Sequence, residues 1–315
     1  MKKSLFAIFL LLAIAVSVKA QESQTAYDFL RLPVSAHAAA LGGDNVTLIE
    51  DDAALTLHNP ALLSSVSDKT IGLGFMTYME GARMASATFS RTAGEKASWG
   101  VSAQYADYGK MKEMDENNIQ TGEFAARDIA IGAHLSYQLS EHIVGGISAK
   151  WITSYIGNYN SIAMCVDLGL NYYHPDNDLS LSLVAKNLGG QLKAYDDEYE
   201  KLPFEMHAGV TKKLAGAPLR LSATMQDLTH WDYKFINHLA VGAEVLLSDQ
   251  IWVGAGLNFR RANDMKITVG DESSSHGAGL SLGAGINLER FRLGVSYGKY
   301  HVSSSSIIAN LSFNI

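Results

Sequence analysis

The chain has 315 residues, a formal net charge of -7, 47% hydrophobic residues, 28 Gly, 5 Pro and 1 Cys. A single cysteine excludes an internal disulfide, and an acidic chain without a basic block lacks the electrostatic footprint of a nucleic-acid-binding protein. Beyond its amino-terminal end, no apolar run approaches the roughly eighteen residues that a transmembrane helix needs.

Residues 1–20 have the pattern of a secretory signal peptide. Lys2 and Lys3 form a positive start, residues 5–18 form an apolar run, and the small residue Ala20 follows. Because this run is short for a membrane span, we expect cleavage near Ala20 and a mature chain that begins at Gln21. The alternative is an uncleaved amino-terminal membrane anchor. No cysteine follows the cleavage point, which argues against the lipoprotein type of export signal.

Residues 21–69 do not share the two-residue alternation of the later chain. "SAHAAAL" has the composition of a short helix that the following double glycine would end. "DNVTLIEDD" indicates a short extended piece with an acidic end, and "NP" indicates a helix cap followed by a proline at the first helical position. The residues that define this pattern are Leu41, Gly42, Gly43, Asp51, Asp52, Asn59 and Pro60.

From residue 70 onward, apolar residues recur at every second position, which is the period of a β-strand with different surroundings on its two faces. Each segment has about ten residues or slightly more, the length that a tilted strand needs to cross a bilayer. The pattern predicts about fourteen strands. Their ranges are 70–79, 81–91, 97–109, 127–139, 142–157, 161–174, 179–189, 203–214, 218–228, 237–248, 250–260, 275–289, 291–300 and 306–315.

Charged residues in the middle of these strands distinguish a membrane barrel from a soluble one. All of them fall on the face opposite the aliphatic residues, whereas a charge on the lipid face would cost about 2–4 kcal/mol. A water-soluble sandwich or barrel would reverse this arrangement, and it remains the alternative. The sequence therefore predicts an all-β, fourteen-stranded antiparallel transmembrane barrel whose outer face meets outer-membrane lipid. The charges in question are Lys150, Asp167, Lys186, Glu205, Arg220, Glu244 and Arg292.

The links between predicted strands alternate between short turns and long polar loops, as in outer-membrane barrels. The second strand, "ARMASATFSR", has no clean phase, which predicts either a bulge or contact with the amino-terminal residues. A barrel of this width is not filled by its own side chains, so residues 21–69 are predicted to lie in the lumen as a hatch, with 70–315 as the barrel. The alternative is a loose periplasmic extension.

No motif of catalysis or cofactor binding is present, so we expect no enzymatic activity, metal or cofactor. "GAGLSLGAG" lies within a strand pattern and indicates small lumen residues that leave room for the hatch. His134 and His207 fall on the lumen face as lone histidines, for which we expect hydrogen bonds to the hatch. Cys165 also faces the lumen and has no base beside it, so we expect a packing role.

The long polar loops are the predicted functional surface. Tyr195, Tyr199, Trp231 and Tyr233 lie among acidic residues, which suits a protein-binding rim with aromatic anchors. Because both ends of an even-stranded barrel lie on the short-turn rim, that rim is expected to be periplasmic and the long loops external. The alternative is that these loops are merely solvated.

The order of a small-residue helix, "ALGG", "EDDAAL" and "HNPALL" before the first strand resembles the amino-terminal signature of the FadL-like outer-membrane family. "YDFLRLPVSAHAAALGGDNVTLIEDD" is similar to the PorQ branch of its PorV–PorQ relatives, which serve type IX secretion in Bacteroidetes. The resemblance implies a fourteen-stranded barrel with a hatch, holding a PorZ-like surface protein beside PorU and PorV. The chain is shorter than the fatty-acid transporters of the family usually are.

Two functions of different class follow. The barrel is either a plugged anchor of a secretion and attachment complex or a FadL-like transporter of hydrophobic small molecules. A transporter needs an apolar pocket under the loops, whereas the lumen face here is mostly polar, which favours the anchor.

Overall fold

The computed structural model describes residues 25–231, 233–269, 272–274, 277–302 and 304–315, so the predicted signal peptide lies outside the described residues. Sixteen strands follow a helical amino-terminal part. The strands are β1 (Thr70–Thr77), β2 (Arg83–Ala93), β3 (Ala97–Met114), β4 (Gln120–Gln138), β5 (Ile143–Ile156), β6 (Tyr159–His174), β7 (Leu179–Lys193), β8 (Glu205–Lys213), β9 (Leu219–Met225), β10 (Leu239–Leu246), β11 (Ile251–Asn258), β12 (Ile267–Val269), β13 (Glu272–Ser274), β14 (Leu280–Asn287), β15 (Phe291–His301) and β16 (Ser304–Asn314).

The helices are short. Helix α1 spans Ala36–Ala40 and helix α2 spans Phe259–Asp264. Single 3-10 turns occupy Asp28–Arg31, Ala53–Leu57, Pro60–Ser65, Met79–Gly81, Pro175–Asn177 and Phe235–His238. Among the described residues, no helix combines the length and the apolar character that crossing a membrane would require.

Fourteen of the strands form one closed antiparallel barrel in which sequence neighbours pair and β1 closes on β16, while β12 and β13 form a separate two-stranded sheet. The closing pair runs in register from Thr70 opposite Asn314 to Met76 opposite Ile308. At its end the Ile315 amide donates to the Lys69 carbonyl at 3.1 Å. The predicted all-β, fourteen-stranded barrel is confirmed.

The two faces of the wall differ as the alternation predicts. Aliphatic side chains such as Leu135, Ile147 and Leu183 are exposed on the outside, with 47%, 44% and 43% of their surface accessible. The inner face carries Ser, Asn, Gly and the predicted mid-strand charges, of which Glu244 is only 1% exposed. The core of a bilayer holds no water that could form hydrogen bonds with polar side chains on the outer face. A barrel in a membrane therefore keeps its polar side chains inside and its aliphatic ones outside, as observed here.

The rims differ in the length of their connections. The long-loop rim carries the connections after β1, β3, β5, β7, β9, β11 and β15, and the short-turn rim carries those after β2, β4, β6, β8, β10 and β14. The start of β1 and the end of β16 lie on the short-turn rim.

Some strand bounds differ from the predicted ones. Strand β3 continues beyond 109 and β4 begins before 127, and the two form a hairpin, so most of the loop expected at 110–126 is paired. Residues 259–264, expected as the end of a strand (259–260) and the start of the next loop (261–264), form α2. Strand β2 pairs without a register shift on both sides, so it is not bulged; its Met84 instead packs against the amino-terminal residues, the other outcome expected there.

Candidate functional site

The N-terminal segment, residues 25–69, begins at one rim and ends at the other. Thr25 forms a parallel bridge with Lys201, and the Ala26 amide donates to the Lys201 carbonyl at 3.0 Å, which places this end at the long-loop rim. The segment then packs against inward-facing residues of the wall and reaches β1 at Thr70 on the short-turn rim. The whole depth of the barrel is therefore in contact with the segment.

Local capping explains the shape of this segment. The Ser35 hydroxyl caps α1 by accepting from the Ala38 amide at 3.3 Å, and it donates to Asp52 Oδ2 at 2.7 Å. Asp52 Oδ1 in turn accepts from the Ala54 amide at 2.9 Å and so caps the next turn. Ser35 therefore caps α1, Asp52 caps the turn at 53–57, and the two side chains also bond to each other. These bonds stabilise a helix that would be too short to form alone.

The predicted signals Gly42-Gly43 and Asn59-Pro60 have the expected roles. Gly42 and Gly43 adopt φ of 105° and 101°, and the Gly43 amide donates to the Ala38 carbonyl at 2.9 Å, which ends α1. Asn59 caps the turn at 60–65 through the Ala61 amide at 3.0 Å, with Pro60 at the first position. Its amide nitrogen also donates to the Val46 carbonyl at 2.9 Å.

Glycines in the wall make room for the segment. A Cβ at Gly256 would overlap Gly42 N and the carbonyl carbon of Leu41, and one at Gly242 would lie 2.7 Å from Leu41 Cβ. A Cβ at Gly283 would lie 2.6 Å from Ala40 Cβ, which bears out the expectation that "GAGLSLGAG" leaves room in the lumen. Larger residues at these positions would push the segment away from the wall.

Charged and ionisable side chains of the segment meet charged side chains of the wall. Arg31 Nε lies 2.7 Å from Glu205 Oε1, and His37 Nε2 lies 2.7 Å from Glu244 Oε2. Two further contacts are those of Glu50, whose Oε1 accepts from Arg220 Nη2 at 2.6 Å, and of Asp51, which pairs with Arg292. Arg220 also pairs with Glu244, its cross-strand neighbour, so Glu50, Arg220, Glu244 and His37 form one network.

His37 makes a second contact with the wall that the sequence analysis did not identify. Its ring stacks on Trp252 with 3.6 Å between centroids and 3° between planes. Trp252 is 4% exposed and shares the inward face of β11 with Gly254 and Gly256. The alternation of "QIWVGAGLNF" places Trp252 on the inward face, and this alternation is the sequence feature that indicates a contact between Trp252 and the lumen.

Other inward-facing polar groups pair within the wall. Lys150 Nζ lies 2.8 Å from Asp167 Oδ2 and donates to Asn187 Oδ1 at 2.6 Å. Asn187 has φ of 60° and lies at a register shift between β6 and β7, so a bulge turns its side chain toward this pair.

The two histidines and the cysteine considered as possible reactive groups are engaged in hydrogen bonds or in packing. His134 lies 2.6 Å from Ser148 Oγ and 2.8 Å from Ser102 Oγ, so its partners belong to the wall and the expected bonds to the hatch are not formed. His207 Nε2 lies 3.1 Å from Glu205, also in the wall. Cys165 is buried in an apolar cluster with Phe29 and Leu30, as expected for packing. Within the described part of the chain, no group of His, Cys, Asp and Glu is arranged to hold a metal ion.

The four aromatic residues predicted to bind a partner lie in two loops of the long-loop rim. Tyr199 and Trp231 are 67% and 55% exposed. Tyr195 is half-buried, with its ring 6.4 Å from that of Tyr27, and Tyr233 lies under the Arg260 guanidinium at 4.5 Å from ring centroid to Cζ. Of the four predicted residues, Tyr199 and Trp231 are therefore the ones that are largely exposed.

Two further features of the long-loop rim were not predicted. A cavity of about 600 Å³ opens between residues 25–28, the loop after β7 and the upper ends of β3 to β6. Beside it, the hairpin formed by residues 108–126 of β3 and β4 extends past the neighbouring strands, with exposed Met114 and Ile119 near its tip. A second cavity, of about 250 Å³, lies between Arg31 and Asp44 of the segment and Glu205 and Arg260 of the wall. Spaces deeper in the contact between segment and wall have about 30 and 10 Å³, room for a few waters at most.

Solved structures with the same fold include a transporter, a channel and a FadL homologue. The Pseudomonas putida toluene transporter TodX has a TM-score of 0.59 at 13% identity, covering 90% of this chain and 98% of that one. The CymD monoaromatic hydrocarbon channel has 0.58 at 13% identity over 90% and 97%, and a Pseudomonas aeruginosa FadL homologue has 0.54 at 11% over 90% and 98%. At these identities the likeness concerns the fold alone.

Sequence comparison gives the family. No curated protein sequence matches this chain significantly. The family described as type IX secretion system membrane protein PorP/SprF matches residues 89–306, which is more than half of the chain and includes most of the barrel wall. With its closed fourteen-stranded fold, this outer-membrane β-barrel protein belongs to the PorP/SprF family of type IX secretion system membrane proteins.

Proposed function

We propose that this protein is a non-enzymatic, PorQ-type anchor of the type IX secretion and cell-surface attachment machinery, and that it holds a PorZ-like partner beside PorU and PorV. The observation that supports this most is the contact of the N-terminal segment with the wall. Polar contacts of Arg31, His37, Glu50 and Asp51 with charged side chains reach four different strands, β8, β9, β10 and β15. A barrel filled in this way is suited to holding a partner rather than to conducting solutes.

The orientation follows from the proposed route of export. A signal peptide cleaved near Ala20 would deliver the chain to the periplasm, and both ends of the barrel lie on the short-turn rim. Outer-membrane barrels have short periplasmic turns and longer external loops. The long-loop rim, with its extended hairpin, would then face outward and be open to a surface protein.

The partner surface is proposed to include the exposed aromatics of that rim. Tyr199 and Trp231 present large apolar areas among acidic residues, and such aromatics contribute disproportionately to binding energy at interfaces. Tyr195 and Tyr233 would act indirectly, since they pack against Tyr27 and Arg260 and so fix the two loops.

The test is co-purification from the native outer membrane in mild detergent. We expect a stoichiometric, surface-exposed protein with the unmodified chain, and loss of that protein when residues 193–201 and 229–237 are deleted or when Tyr199 and Trp231 are both changed to Ser. The matched control is Tyr137→Ser, an equally exposed tyrosine near the short-turn rim. Retention of the partner by the deletion variant would contradict the proposal.

A FadL-like transporter of hydrophobic small molecules is the second proposal, and the cavity of about 600 Å³ favours it. Its lining includes Met79, Met111 and Ile156, as a pocket for an apolar molecule would. This proposal expects a bound lipid or aromatic hydrocarbon and no protein partner in the same purification. Mass spectrometry of an organic extract of the purified protein separates the two outcomes.

A further inference from the structure

The cavity on the long-loop rim has a lining of unusual charge. Tyrosines at positions 27, 108, 159 and 195 and carboxylates at 28, 128 and 200 contribute to it, whereas none of its described lining residues is Lys, Arg or His. The cavity has room for a side chain of any size, since it measures about 600 Å³. A cavity lined by carboxylates and aromatic rings suits a cation.

Asp128 is the most deeply placed of these carboxylates. It is 7% exposed, and its oxygens accept from the Tyr108 hydroxyl at 2.7 Å and from the Ser154 hydroxyl. Among the described residues no cationic group pairs with it, unlike Asp167, which meets Lys150, and Glu244, which meets Arg220. Burial of a carboxylate without a cation is costly, so a cation that enters the cavity recovers part of that cost.

The aromatic rings offer a second interaction to the same group. Tyr27 and Tyr195 lie with 6.4 Å between centroids and 30° between planes, at the edge of the cavity. Burial raises the pKa of both hydroxyls, so both rings stay neutral. Ammonium and guanidinium groups are attracted to such ring faces, and more strongly where water is excluded.

The charge of the surrounding rim indicates how the cation is delivered. The hairpin residues 110–123 carry four acidic and two basic residues, and residues 193–201 carry the same numbers. Both stretches border the cavity through Met111, Tyr195 and Glu200. An acidic rim steers a basic protein segment toward its binding site and contributes to specificity.

We propose that this cavity receives a Lys or Arg side chain of the surface partner. This inference rests on the proposed anchor function and names the chemistry by which the partner is recognised. The basic side chain lies against Asp128 and the tyrosine rings, and the acidic loops contact the residues that flank it.

The test uses two fluorescein-labelled peptides, Gly-Ser-Lys-Ser-Gly and the same peptide with norleucine in place of lysine. Binding to the purified full-length protein in detergent is followed by fluorescence anisotropy at low salt. We expect the lysine peptide to bind at least about tenfold more tightly, as one charge-assisted contact would give. Asp128→Asn should remove the preference for the lysine peptide. Tyr195→Leu should weaken that preference, because it removes an aromatic ring and leaves the Asp128 carboxylate in place.

The matched control is Asp197→Asn, which removes one charge from the same loop at an exposed position outside the cavity. We expect less than about a twofold change from it. Equal effects of Asp128→Asn and Asp197→Asn would show only general attraction to an acidic rim and would overturn the proposal. Tyr195→Leu provides the same comparison if Asp128→Asn does not fold. Lysine-peptide binding that appears only after removal of residues 21–24 would also overturn it, since the chain's own end would then be the occupant.

This result is separable from the anchor function. If Asp128→Asn and the unmodified chain both capture the native partner, and neither prefers the lysine peptide, the cavity proposal fails while the anchor function stands. Failure of both to capture any protein would contradict the anchor function itself.

Discussion

Replacement of Arg220 by Met tests how the N-terminal segment is held. Arg220 lies between Glu50 of the segment and Glu244 of the wall, and Glu244 is also contacted by His37. The side chain of Glu244 is fully buried, and that of Glu50 is 22% exposed. Removal of the cation therefore leaves one carboxylate with only a histidine and a second that water can reach.

The expected cost follows from these surroundings. Breaking a buried ion pair by removing one partner costs about 3–5 kcal/mol, and the partial access of water to Glu50 places Arg220→Met near the lower end, at about 3 kcal/mol. Glu244→Gln should cost less alone, since a neutral amide can still bond to Arg220. In the double variant no buried charge is left unpaired at this position, so its cost should fall short of the sum by about 1 kcal/mol or more.

The assay is urea-induced unfolding of the protein refolded in detergent, followed by tryptophan fluorescence and by heat-modified gel mobility. Arg91→Met is the control, because Arg91 forms an exposed pair with Asp68 at 3.5 Å, and such pairs contribute about 0–1 kcal/mol. Planar-bilayer conductance of Arg220→Met should also rise if the loosened segment leaves the lumen. Equal free energies of unfolding for Arg220→Met and Arg91→Met would refute the reasoning.

Three further predictions concern the same segment. Gly256→Val should destabilise the protein by about 1–3 kcal/mol or more, because the valine side chain would overlap Gly42 and Leu41. Gly190→Val enters open space and should be near neutral in the same urea assay. Equal urea midpoints for the two variants would contradict the close approach of the segment to Gly256. Asn59→Ala should cost about 1–2 kcal/mol through the lost cap. Asn59→Ser should cost less, since its hydroxyl can still accept from Ala61 N, and the reverse order would rule out capping as the main role. Burial lowers the pKa of His58 to about 3, so below about pH 6.5 the unfolded chain takes up a proton that the folded protein does not. The free energy of unfolding should therefore fall as the pH drops from about 6.5 toward 3, with a slope of about 1.4 kcal/mol per pH unit. His58→Gln should remove this slope, and parallel stability curves from pH 7 to 4 would contradict it.

The wall could be predicted because each of its strands faces two different environments. Lys150, Asp167 and Glu244 lie on the inner face where the aliphatic phase placed them. The prediction ended where that contrast ends. Beyond the ends of the neighbouring strands, both faces of the β3–β4 hairpin are exposed. Residues 110–126 therefore carry no alternation, although most of them are paired. At Asn187 a bulge changes the phase of β7, which a regular period of two does not anticipate.

The segment was predictable in its local features and not in its partners. Capping by Asn59 and the stop at Gly42 depend on residues within a few positions, which the sequence displays. The contacts of His37 with Glu244 and of Asp51 with Arg292 join positions more than two hundred residues apart. Those pairs depend on which strand faces which turn of the segment, and no periodicity contains that information.

The ion contacts also bear on the choice between anchor and transporter. A solute that crossed the lumen would require the segment to move, which separates Arg31 from Glu205, Glu50 from Arg220 and Asp51 from Arg292. In a dry lumen each separated charge carries a penalty of several kcal/mol, whereas a lumen that fills with water reduces it to the level of a surface pair. Movement of the segment and entry of water are therefore coupled. A cavity of about 250 Å³ borders Arg31 and Glu205 at the long-loop rim, whereas the spaces beside Glu50, Asp51 and His58 measure only about 30 and 10 Å³. The coupling therefore favours a segment that stays in place around Glu50 and Asp51, where bulk water has no room.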